Sequence, residues 1–229
     1  MILTAYELQV LYLSIKVAAA AIIFSLPLGI LVAWILARFQ FMGKSLLDSF
    51  IHLPLVLPPV VLGYLLLLTM SKKGLIGKWL YTYFDISFSF NWKGAALASA
   101  VVAFPLMVRS IRLAIESIDQ RLEHVARTLG ASRLRVFITI TLPLAFPGIL
   151  MGLVLGFARS LGEFGATITF VSNIPGETRT LPLAMYTLIE TVGGEYQAMR
   201  LCIIAVIMSI IALLASEWLM RWHKRKLAG

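Results

Sequence analysis

Apolar residues run almost unbroken through five stretches of the chain, at about 10–36, 51–70, 94–112, 144–165 and 201–220, and the charged residues collect between them. At about 1.5 Å of rise per residue, roughly 20 apolar residues in a helix cross about 30 Å of hydrocarbon. Each stretch therefore predicts a membrane-spanning helix. The first exceeds the minimum and contains Pro27 and Gly29, which predicts a tilt or a kink. The second opens with "LPLVLPPVVLGY", where Pro54, Pro58 and Pro59 remove backbone donors and predict an extended entry near an interface or against protein. A further segment, "LPLAMYTLIETV", is too short to cross and predicts an interfacial or re-entrant helix. Only "MILTAYELQ" precedes the first run, which continues well past the length of a signal-peptide core, so the run is expected to be a retained span. With no internal repeat or linker, the expectation is one all-α integral membrane domain over about 8–221.

Composition agrees with this pattern. Sixty per cent of residues are hydrophobic and 14% charged, with a mean hydropathy of +0.91, outside the balance of a soluble domain. A net charge of +9 would suit nucleic acid only if the basic residues shared one solvated face, and here they sit at the ends of apolar runs. Their distribution instead sets an orientation. With the N-terminus outside, the inner segments hold Arg38, Lys44, six arginines from Arg109 to Arg135, and Arg221, Lys224, Arg225 and Lys226. The outer segments hold Lys72, Lys73, Lys78, Lys93, Arg179 and Arg200, so N-out and C-in is expected, although "SKKGLIGK" opposes it. Lys16 and Arg159 remain within spans; Lys16, early in its helix, is expected to snorkel outward. Trp79, Trp92 and Trp222 fall near the boundaries, as an aromatic belt would.

Catalytic chemistry finds no foothold. Cys202 is the single cysteine, and His52, His124 and His223 are scattered, with His52 and His124 read as loop or interface positions and neither a metal-binding helix motif nor a nucleophile elbow present. Gly43-Lys44-Ser45 resembles the end of a phosphate-binding loop, but Arg38 stands where its first glycine belongs. A turn after the first helix is the simpler reading.

Between the third and fourth runs lies a basic segment, about 113–143, that includes "HVARTLGASRLRVFITITLP". Ile118, Leu122, Val125 and Leu129 recur at helical spacing, Gly130 suits a left-handed helix end, Ser132 can cap a second helix, and Pro143 is expected to close that one off. The result is an elbow over about 118–135 with an apolar stripe that a partner groove would cover. Ala126, Gly130 four residues on, and Ile140-x-Leu142-Pro143 resemble the signature loop of type I ABC importer permeases, with His124 at the family's usual Glu position, Glu123 one place earlier and Val125 for the first Ala. That resemblance implies that Glu123, Val125, Ala126, Leu129, Gly130 and Ala131 lie in a coupling helix docking on a separate ATPase. It also implies two ATPase subunits, a second copy of the permease and a separate binding protein, with ATP used only by the partner and no cofactor on this chain.

The fourth run places Gly148, Gly152, Gly156 and Ser160 four residues apart, a smooth strip for close helix packing on a neighbour of either the same or another copy. Arg159 and Glu163 can pair one turn apart; a charge at this depth costs about 2.5–3.5 kcal/mol and usually faces a cavity or a partner. Arg159, Ser160, Glu163, Thr167 and Thr169 are candidates for a polar path through the membrane. "ARSLGEFGATITF" followed by "NIPGETRT", together with "HLPLVLPPVVLGYLLL", resembles the molybdate branch of the oxyanion permeases. This implies import of molybdate, with tungstate as a second cargo, across the cytoplasmic membrane. Sulfate permeases share the "LGEFGA" portion and form the alternative; a channel or secondary transporter, which would not need the elbow, is the alternative of a different class.

Overall fold

The computed structural model describes residues 4–228, the side chains of 216 and 219–228 excepted, so Arg221, Trp222, His223, Lys224, Arg225 and Lys226 lie outside the described side chains. The described residues form helices and no strand: α1 Ala5–Arg38, α2 Lys44–Val56, α3 Pro59–Met70, α4 Leu75–Phe84, α5 Trp92–Glu116, α6 Gln120–Thr128 and α7 Arg133–Val136. A π-helical turn at Phe137–Thr141 leads into α8 Leu142–Leu161, followed by α9 Gly165–Val171, α10 Leu181–Ile189 and α11 Glu195–Ala228. The chain is thus an all-helical membrane protein with four helices long and apolar enough to span, and a fifth crossing if α2 and α3 count as one.

Contacts at the two ends of α1 show how the chain traverses. Arg38, at its C-terminal end, reaches the carbonyl of Ile118 just beyond α5, and Lys16, nearer its N-terminal end, lies 3.9 Å over the ring of Trp92 at the start of α5. The helices α1 and α5 therefore run in the same direction, so α2, α3 and α4 must together cross once. Arg200 in the first turns of α11 pairs with Glu7 in the first turn of α1 at 2.8 Å, which sets α11 off from the same side. Glu7 belongs to a capping box: Thr4 accepts from its backbone, and its carboxylate accepts from the Thr4 N–H at 2.7 Å.

The second crossing differs from the single helix expected at 51–70. It breaks between α2 and α3, which meet at 114°. Pro58 forces Leu57 into extended backbone and neither Pro58 nor Pro59 can donate, so the helix restarts with Pro59 at its first position. Pro54, by contrast, sits inside α2 without ending it, and His52 is a helical residue there rather than a loop residue. Gly43 adopts φ +91 at the entry to α2, the turn expected of Gly43-Lys44-Ser45.

Two further expectations need correction. Pro143 does not close a helix. The backbone from Arg133 continues into α8 through the π-turn, where the N–H of Leu142 reaches back to the carbonyl of Phe137; this widened turn absorbs the donor that Pro143 lacks. The fourth span ends at Leu161, so Thr167 and Thr169 ride on the separate helix α9. Lys16 reaches the Trp92 ring at the start of α5, a residue the sequence places near the outer boundary.

Two buried clusters lie along α1 and α5, the first closed by α3 and α9 and the second by α8. One gathers Leu13, Val17, Ala98, Val102 and Phe170; the other gathers Leu36, Met107, Ile111, Ile115, Ala145 and Ile149. The second underlies the elbow, so α6 and α7 stand on a packed base.

Candidate functional site

Local chemistry builds the elbow. Asp119 caps α6 by accepting the Arg121 N–H at 2.9 Å. At the other end the N–H of Gly130 bonds the carbonyl of Arg127 and the N–H of Ala131 bonds that of Ala126, at 3.0 and 3.1 Å. This paired closure requires left-handed backbone at its centre, and Gly130 supplies it with φ +88. Ser132 then caps α7 through the Arg135 N–H. Of the stripe expected from spacing, Ile118 is buried against α5, whereas Val125 and Leu129 are 59% and 83% exposed and Leu122 is exposed with them. The elbow thus shows an apolar face to its surroundings.

Glu123 does something the sequence did not disclose. Its carboxylate takes the Arg38 guanidinium at 2.8 Å and accepts the Thr141 hydroxyl at 2.9 Å, with only 8% of the Arg38 side chain and 16% of its own exposed. One carboxylate therefore ties the elbow to the end of α1 and to the π-turn ahead of α8. The sequence offers Arg38 only as a positive charge at the end of a span and as a mismatch to a phosphate-binding loop, and it gives Thr141 no role. The available signal was weak: a single Arg closing a long apolar run.

The glycine strip of α8 packs within the chain. A Cβ at Gly148 would overlap the Ala114 methyl, one at Gly152 would come 3.1 Å from the Met107 carbonyl, and one at Gly156 would sit 2.7 Å from Ile22. Its neighbours are α5 and α1, and the Ser110 hydroxyl donates to the Gly148 carbonyl at 3.1 Å. A second glycine contact was missed in the sequence: Gly63 on α3 lies against Ala166 and Thr169 on α9, and Gly165 lies against Pro59.

Arg159 and Glu163 are brought together at 2.8 Å, with the Arg side chain 31% exposed and the Glu side chain 1%. Glu163 also accepts the Ala166 N–H at 2.8 Å, so it holds the start of α9. Ser160 and Thr167 are buried, the Ser160 hydroxyl without a hydrogen-bond partner, while the Thr169 hydroxyl donates to the Gly165 carbonyl in its own helix. Arg159 is thus the member of the set that keeps an open side. Arg159→Gln removes the charge on that open side while its amide can still donate to the buried Glu163, so the protein should assemble, and a fall in transport of about tenfold would place Arg159 on the path expected from the sequence. Uptake at the unsubstituted rate with normal assembly would remove Arg159 from the path. Among the described residues no cluster of His, Cys, Asp and Glu could hold a metal.

Residues 11–229 match the family described as "Binding-protein-dependent transport system inner membrane component". The chain is 66% identical over 226 residues to the molybdenum transport system permease protein ModB of Escherichia coli strain K12, covering 99% of each. It is 64% identical over 221 residues to ModB of Haemophilus influenzae, covering 96% of each. Among solved structures it resembles a bacterial ABC transporter that imports the acidic polysaccharide alginate, with a TM-score of 0.74 at 18% identity, over 96% of this chain and 80% of that one. That last likeness speaks for the fold alone.

Proposed function

Because the chain belongs to the binding-protein-dependent transport system inner membrane components, we infer that it is the permease subunit of an ATP-driven importer that carries molybdate across the inner membrane. It is a multi-pass inner-membrane protein. Its relatives are transport permeases, and the work of ATP falls to separate ATPase subunits. The reading extends to a pair of permease copies, two ATPases and an outer binding protein that delivers the anion, with one transmembrane domain over about 8–221. The N-terminus lies outside, as the excess of Lys and Arg on the elbow side supports.

One observation carries the coupling role: an elbow with an unpartnered apolar face rests on a packed base and is tied to two spans by Glu123. Apolar groups gain nothing from facing water, so a cleft on the ATPase is their natural cover. Displacing the elbow then moves α1 and α8 against α5, the kind of repacking by which an importer alternates between two states. Cargo binding alone does not drive the cycle; ATP binding and hydrolysis shift the population between packings.

Leu129→Glu tests this directly. The side chain is 83% exposed, so the fold should be unaffected, while a buried carboxylate in the cleft should weaken ATPase association by more than tenfold. Leu75→Glu, at an 89% exposed position on α4, is the matched control and should leave association unchanged. Equal association for both variants would take the coupling role away from this face.

A further inference from the structure

Beneath the elbow, where α1 ends, lies a cavity of about 240 Å³ whose charge balance is uneven. Arg38, Arg127 and Arg133 line it with His124, and the sole carboxylate in its wall is Glu123. Glu123 is already engaged by Arg38 and by the Thr141 hydroxyl. Arg38 is more than nine-tenths buried, yet its Nη1 has no hydrogen-bond partner; Nε and Nη2 alone are used, on Glu123 and the Ile118 carbonyl. A buried guanidinium nitrogen left without an acceptor costs free energy that an anion would recover. At about 30 Å³ for a water molecule in the liquid, the cavity has room for a tetrahedral oxyanion with several waters.

Three aromatic rings, Trp34, Phe39 and Phe137, also line it. Trp34 stacks near Phe137 at 4.7 Å and meets Phe39 edge-on at 5.2 Å, at the end of the α1 span. Aromatic rings beside arginines at the end of a span are the chemistry of the lipid headgroup layer, and basic pockets between membrane helices take anionic headgroups. Arg127 and Arg133 bring two further guanidinia to the same wall, each able to offer paired donors to an oxyanion, while Arg38 has Nη1 left to give.

We propose that this cavity binds a tetrahedral oxyanion, either the phosphate of an anionic phospholipid or a free oxyanion, and that occupancy pins α6 and α7 to the end of α1. The binding stands on the cavity alone; its regulatory consequence, a change in coupling, rests on the elbow being the ATPase contact. The two can fail separately, because binding is measured here without the ATPase.

The full chain is placed in nanodiscs and hydrogen exchange is followed over residues 118–141. In discs of phosphatidylcholine alone, inorganic phosphate is titrated in; in a second set phosphatidylglycerol is mixed into the discs and phosphate is left out. Slowing of elbow exchange by about fivefold or more in the second set assigns the site to lipid, and the same slowing only on adding phosphate assigns it to a free oxyanion. Arg133→Gln should weaken the response about tenfold, as should Arg127→Gln, whereas Arg135→Gln, an exposed arginine outside the cavity wall, should leave it unchanged. No slowing in either set, or equal weakening by Arg133→Gln and Arg135→Gln, would overturn the proposal.

Discussion

Gly63→Val should prevent α3 from docking on α9, and the protein should be lost from the membrane or recovered only in aggregates. A Cβ at this position would lie 2.5 Å from the Ala166 carbonyl oxygen and 3.0 Å from its Cα, and both are backbone atoms of α9. Such atoms cannot swing aside as a side-chain end can. Gly165 shows the same closeness from the α9 side, its own Cβ position lying 2.8 Å from Pro59 of α3, so the two helices meet here with no room for a side chain on either. Overpacking a close contact costs about 1–3 kcal/mol when neighbours can adjust, and the branched Val exceeds what this contact can absorb. Gly162→Ala is the control: a methyl there meets only the Ala158 carbonyl, at 3.9 Å. Thermal unfolding in detergent should separate the two. Equal stability would show that α3 and α9 are not in this close contact.

The second large effect is expected at Glu123. Glu123→Ala leaves the Arg38 guanidinium almost enclosed and without its counter-ion, and removes the acceptor for Thr141. Removing one member of a fully buried pair costs about 3–5 kcal/mol, and with 16% of the Glu123 side chain exposed the lower end applies. Function should suffer more than stability does. Glu123→Gln keeps an acceptor and should fold, but the neutral amide holds the elbow to α1 less firmly. Molybdate uptake should then fall about tenfold while ATP hydrolysis by the assembled transporter continues. A matched fall in both activities would make Glu123 a merely structural residue. Pairing Glu123→Gln with Arg38→Gln should restore stability without restoring the ratio of uptake to hydrolysis.

These two positions show where a sequence is readable and where it is not. The spans, the short helix at "LPLAMYTLIETV", the left-handed Gly130 and the cap at Ser132 follow from local periodicity and backbone preference. All of them act over a few residues, so a linear reading reaches them. The partners of Glu123 lie 85 and 18 residues away, and nothing local says that Arg38 turns inward rather than marking a membrane boundary. Gly63 could have been read as helix filler, since its meaning comes from α9, and Glu7 with Arg200 is likewise a long-range pair. Pro143 misled for a different reason. Proline ends a helix only if its missing donor is needed, and the π-turn before it removes the need. The strip of Gly148, Gly152 and Gly156 was legible as a packing face, while its neighbours α5 and α1 needed coordinates.

The central claim is that this chain passes molybdate at the expense of ATP spent elsewhere. The most direct test is uptake of labelled molybdate into proteoliposomes holding the chain with its cognate ATPase and binding protein, with unlabelled tungstate or sulfate as competitor. The account predicts uptake that requires ATP, is blocked by tungstate and is indifferent to sulfate. Strong inhibition by sulfate would assign the cargo to the sulfate class, and uptake that proceeds without ATP would contradict the account outright.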